Sequence, residues 1–111
     1  EWITYADEAD VLNVALFGCT AKQWKVANPQ LALENNNMRD FASINQLTVL
    51  SNLEVLNSEL IKNKLSKNQR FQYLHRTALQ QLAVLDKSNA MKSLQRLSDS
   101  TFVEEQKKLK N

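Results

Sequence analysis

One glycine and one proline stand in 111 residues, where average usage is about 7% and 5%. Sheets and loop-rich folds need those residues at their turns, so the scarcity restricts this chain to helices joined by short polar links. Cys19 is the only cysteine, which removes any internal disulfide and any cysteine-based metal cluster. Apolar packing alone must then hold the core, and a hydrophobic content of 43% suffices for a modest one. Folding at this length, which fits one domain, buries roughly 65% of the extended chain's surface.

Local signals divide the chain further. Thr4 is a suitable N-cap, with Asp7 and Glu8 in the next turn, where carboxylates suit the helix dipole. Tyr5, Ala9, Leu12 and Leu16 recur at helical spacing as one apolar stripe, and Gly18 ends it. Thr20 caps a second helix that carries Trp24 through to Ala27, where Asn28-Pro29 closes it. Trp2 and Trp24 read as core residues, and positions 30–40 read as a loop. Ser43 and Gln46 have capping-box spacing and open the longest helix, over 44–64. Apolar residues from Ile44 to Ile61 cover most of its circumference, which predicts a central, surrounded helix. A second box, Ser66 to Gln69, follows so soon that the two helices form a hairpin. Phe71, Leu74, Ala78, Leu82 and Leu85 make the buried stripe of its second arm. The phase is lost near Lys87-Ser88-Asn89, and Met91, Leu94 and Leu97 continue on another face, so a kink or a new helix is expected there. Thr101 to Glu104 repeats the capping pattern before a weak helix that frays.

The expected architecture is all-α. A small helical domain over residues 1–86 is built around a long antiparallel helix hairpin, with the first two helices packed across it. Residues 87–111 form a C-terminal helical extension.

Catalytic chemistry finds little support. His75, the only histidine, sits between Phe71 and Leu79 on the edge of the apolar stripe, where a hydrogen-bonded structural role is expected. No His/Asp/Glu pair at ligand spacing accompanies it. Cys19 follows Gly18 at a helix end with nothing nearby to activate it. Asp7, Glu8 and Asp10 are explained by the helix dipole, and a chain with one glycine has no glycine-rich phosphate loop. No catalytic, metal or cofactor residue is assigned, and no small-molecule substrate is evident. An enzyme would need a deep pocket gathering Asp7, Glu8 or Glu54 with His75. No apolar run approaches the roughly 20 residues that span a bilayer. No signal peptide is visible, so a cytoplasmic protein without membrane contact is expected. The opening Glu1-Trp2-Ile3 reads as a fragment boundary close to a folded element.

Two polar features stand out. Glu54 shares a helix face with Leu47 and Ile61, and Asn57 lies among Leu50, Leu53 and Ile61. A buried carboxylate needs a cationic partner, with Arg39, Arg70 and Arg76 in reach. Arg39, Glu54, Asn57 and Arg76 are the candidate buried network. Charge is also uneven, since residues 1–61 balance to −5 and residues 62–111 to +7. Those halves attract each other within the fold or between copies, or the basic half faces phosphates. Lys62, Lys64, Lys67 and Arg70 around the hairpin turn are the candidate nucleic-acid contacts, with Tyr73 nearby for stacking.

Longer runs carry a family likeness. Tyr5-Ala6-Asp7-Glu8-Ala9-Asp10-Val11-Leu12-Asn13-Val14-Ala15-Leu16-Phe17-Gly18 is followed by Thr20-Ala21-Lys22-Gln23-Trp24, then Met38-Arg39-Asp40-Phe41-Ala42 and Asn52-Leu53-Glu54. In order and spacing these pieces resemble the C-terminal region that follows the KilA-N domain in bacterial and phage KilA-N domain-containing proteins. The likeness covers about residues 4–85. Two departures are the absence of a glycine between Gln30 and Asn37 and the extra residues 86–111. The resemblance implies a parent protein that contacts DNA through an N-terminal domain upstream of Glu1. This segment would then be an accessory or self-association module, expected to form a homo-oligomer. A direct nucleic-acid surface on residues 62–111 is the alternative.

Overall fold

A computed structural model describes the backbone of residues 1–110 and the side chains of residues 1–88 and Lys92. Among the described residues every regular element is helical. The order is α1 (Trp2–Tyr5), α2 (Glu8–Phe17), α3 (Ala21–Ala27), α4 (Pro29–Leu33), a 3-10 turn (Met38–Phe41), α5 (Ile44–Lys62) and α6 (Lys67–Lys110). The chain is all-α.

The helix starts follow local chemistry. Thr20, Ser43 and Ser66 each accept from the backbone N–H three residues on, and Gln23, Gln46 and Gln69 reach back reciprocally. The boxes at Ser43 and Ser66 are the ones expected from the sequence, and the expected Thr20 cap is also a full box with Gln23. The first helix is different. Thr4 does not cap it, because Asp7 does, paired with Asp10 in an all-aspartate box. Ala6 is extended and separates the short α1 from α2, so Tyr5 falls outside α2. Tyr5 and Ala9 are exposed rather than part of the stripe. The expected loop at 30–40 is also partly ordered. Pro29, whose ring presets the φ of a first helical turn, starts α4, and the 3-10 turn follows it.

Helices α2, α5 and α6 pack on one another around one core. Val11, Val49, Leu53 and Leu74 are its largest fully buried side chains. Hydrogen bonds join Asn45 to Asp86, Asn52 to Gln81 and Asn57 to Arg70, so partner numbers fall along α6 as they rise along α5. Leu74 and Ala78 are buried, while Phe71, Leu82 and Leu85 pack at the edge of the core, as the stripe predicted.

Helix α5 is flanked rather than surrounded. Ile44, Leu47, Val55 and Ile61 are exposed because α3 and α4 pack on each other instead of covering it. Trp2 is also more exposed than a core residue, and Trp24 is half-buried against Phe41. Helix α6 passes through 87–89 as one continuous helix, so no new helix starts there. The side chains of Met91, Leu94, Leu97, Thr101 and Glu104 lie outside the described ones, but the backbone helix runs through these positions to Lys110, so the expected new helix start at Thr101 is absent.

Candidate functional site

Three helices meet at one polar cluster. Arg70, in the first turns of α6, is only 6% exposed. Its Nη1 donates to Glu8 Oε1, and Nη2 donates to Glu8 Oε2 at 3.1 Å, a two-pronged pair. Asn57 of α5 closes the triangle: its Oδ1 accepts from Arg70 Nη1 at 2.9 Å, and its Nδ2 donates to Glu8 Oε1 at 2.9 Å. Nε of Arg70 donates to the Leu65 carbonyl at 3.3 Å. With these bonds the guanidinium satisfies the demand that a buried charge be paired.

The hydrogen bond from Arg70 holds the Glu8 carboxyl below the usual carboxylate range. Partial burial opposes this, while the Asn57 bond and the positive charges of Arg70 and Lys67 add to the lowering. Lys67 Nζ donates to the Ala6 carbonyl at 2.7 Å and to that of Thr4 at 3.4 Å. Lys67 and Arg70 thus fasten the start of α6 to the start of α2.

The expected network is only partly assembled. Asn57 is buried in it, but Glu54 and Arg39 form an exposed pair at 4.0 Å. Glu54 needs no buried partner because Leu47 and Ile61, which share its face, are themselves exposed. Arg76 lies over the Tyr73 ring, 5.7 Å from its centroid. The opposite charges of the two halves already offered Glu8 as a partner for the bases around the hairpin turn, and Arg70 is the one that meets it; which base pairs with which acid carries no local signal.

The expected nucleic-acid patch is divided. Lys67 and Arg70 are engaged as described, Lys62 is 3.4 Å from Glu59, and Lys64 is exposed at the turn. His75 Nδ1 donates to the Ala15 carbonyl at 2.9 Å, and its ring stacks on Phe71, which Trp2 meets edge-on. The Cys19 thiol donates to the Met38 sulfur at 3.5 Å. Among the described residues no group of three or more His, Cys, Asp or Glu is placed to hold a metal ion. None is in a helix long and apolar enough to cross a membrane.

Farther along the hairpin from the polar cluster, α5 and α6 flank a groove of about 310 Å³ lined by Thr48, Asn52, Gln80, Gln81, Val84 and Leu85. A second cavity of about 320 Å³ is lined by Asn13, Ala21, Asn37, Met38, Arg39 and Asp40. A smaller one lies among Phe17, Cys19, Trp24, Met38 and Phe41. Asp7, Glu8, Glu54 and His75 line none of the three. No protein-family model, curated protein or solved structure matches the chain.

Proposed function

We propose that this chain is a non-catalytic self-association module of a cytoplasmic KilA-N-type DNA-binding protein, organised on the antiparallel hairpin of α5 and α6. The observation that carries the self-association is the uncovered apolar surface of that hairpin. Val55 and Val84 are 69% and 67% exposed, and Tyr73 is partly exposed, beside a groove that α1 to α4 do not line. Single exposed apolar residues are ordinary, but several on one pair of helices mark a contact surface. The polar cluster is structural in this reading, since its atoms satisfy one another. Association with DNA rests on the sequence resemblance alone and is assigned to the domain upstream of Glu1.

Direct nucleic-acid contact by residues 62–111 is the weaker reading, because Lys67 and Arg70 are spent within the fold. Light scattering of the chain across a concentration series tests self-association. A mass of two or more chains is expected, falling to one chain in Val55→Glu/Val84→Glu. A monomer throughout, for wild type and variant alike, removes this reading.

A further inference from the structure

Among the described residues Asn13 Oδ1 is buried without a hydrogen-bond partner. Asn13 is 4% exposed, and an unpaired acceptor at such depth is uncommon in a folded protein and points to an absent partner. The side chain belongs to α2 and lines the 320 Å³ cavity between that helix and the 3-10 turn. Cavities of roughly 300 Å³ are at the small end of those that hold ligands, which suits a small organic molecule.

The charges around the cavity restrict it further. Arg39 Nη1 stands 4.0 Å from Glu54 Oε1, beyond hydrogen-bond reach, so its donors remain for a better-placed carboxylate. Asp40 accepts from the Asn37 N–H through Oδ2 at 2.7 Å, which leaves its second oxygen as an acceptor. A simple anion at this site meets the Asp40 carboxylate and the Asn13 oxygen. A simple cation meets the Arg39 guanidinium. A molecule with both charges a few atoms apart satisfies all three groups.

We propose that this cavity binds a small zwitterion, a free α-amino acid, with its carboxylate on Arg39 and its ammonium between Asp40 and Asn13 Oδ1. Bidentate pairing suits Arg39 to the carboxylate, and the ammonium supplies the donor that Asn13 lacks. A small-molecule site was not legible in the sequence, because Asn13 and the 37–40 turn meet only through the fold. This site stands apart from the α5–α6 groove, so it does not depend on self-association.

Calorimetric titration of the full chain with L-alanine and L-serine tests it, with acetate and methylammonium as single-charge controls. Saturable binding of the amino acids, with no comparable binding of either control, is expected. Asn13→Leu and Arg39→Gln should each weaken it by about tenfold or more. Arg39 is exposed, so Arg39→Gln decides the matter alone if Asn13→Leu does not fold. No binding up to about 10 mM amino acid, equal binding of acetate, or affinity unchanged in the folded variants overturns the proposal and leaves Asn13 to a water molecule.

Discussion

Glu8 and Arg70 are 62 positions apart, yet the contact between them should dominate the response of this fold to single substitutions. In Glu8→Ala the buried Arg70 keeps its charge and loses both carboxylate bonds. A cost of about 2–3 kcal/mol is expected, below the 3–5 of a fully buried pair because Glu8 is partly solvated. Glu54→Ala should cost under about 0.5 kcal/mol, since Glu54 is 51% exposed and its partner is 4.0 Å away. Urea midpoints of the two variants test this ordering, and equal midpoints would contradict it. Acid should reveal the same contact. The Glu8 carboxyl has a folded pKa below its unfolded one, so its stabilisation is complete above the unfolded value of about 4.3. It is then lost as pH falls from there through the folded value. Melting temperatures between pH 7 and 3 should fall less steeply for Glu8→Gln than for wild type; parallel curves would remove Glu8 from the acid response. Asn57 was legible as a buried polar residue because its neighbours on the helix are apolar. Its partners were not, because pairing among three helices depends on how they cross.

Helix ends show why a chain with one glycine still turns sharply. Gly18 ends α2 at φ +80°, but α4 and α5 use Asn35 and Lys64 at φ +62° and +63°. At both of these ends two backbone bonds complete the same cap: Asn35 N to Ala32 O with Asn36 N to Leu31 O, and Lys64 N to Ile61 O with Leu65 N to Leu60 O. That pattern is the Schellman motif, which favours glycine at the left-handed position. Lys64 lacks the short polar side chain that helps asparagine there. Lys64→Gly should therefore stabilise the fold by about 0.5–1 kcal/mol, the left-handed strain removed exceeding the entropy lost. An unchanged or lower urea midpoint would contradict this. Capping boxes at Thr20, Ser43 and Ser66 were readable because the chemistry lies within four residues. The Asp7–Asp10 box escaped notice because its second acid is aspartate rather than the usual Glu or Gln, and α4 because Pro29 read as a stop when it served as a start. The circumference of α5 misled for a different reason: an apolar residue shows what can be buried, while the neighbouring elements decide what is.

At the scale of the whole molecule, the opposite charges of the two halves are partly joined inside one chain. Arg70 meets Glu8, and Lys67 meets the carbonyls of Thr4 and Ala6. This limits what the basic half offers to DNA. Of the four bases around the hairpin turn, Lys62 and Lys64 remain exposed at the surface, and Lys62 has Glu59 beside it. Engagement of about two phosphates by these lysines gives a slope of log affinity against log salt near −1.8. Such a surface holds duplex no better than the ~10⁻⁴ to 10⁻⁶ M typical of non-specific contact at physiological salt. Diverting Lys67 and Arg70 to phosphates would first break the bonds that fasten α6 to α2, so tighter binding through them is opposed by the fold itself. Fluorescence anisotropy with a mixed-sequence duplex should therefore show weak, salt-sensitive binding that Lys62→Gln/Lys64→Gln abolishes. Sub-micromolar, sequence-dependent binding at physiological salt would instead make this segment a DNA reader, and the bases responsible would have to lie outside this turn.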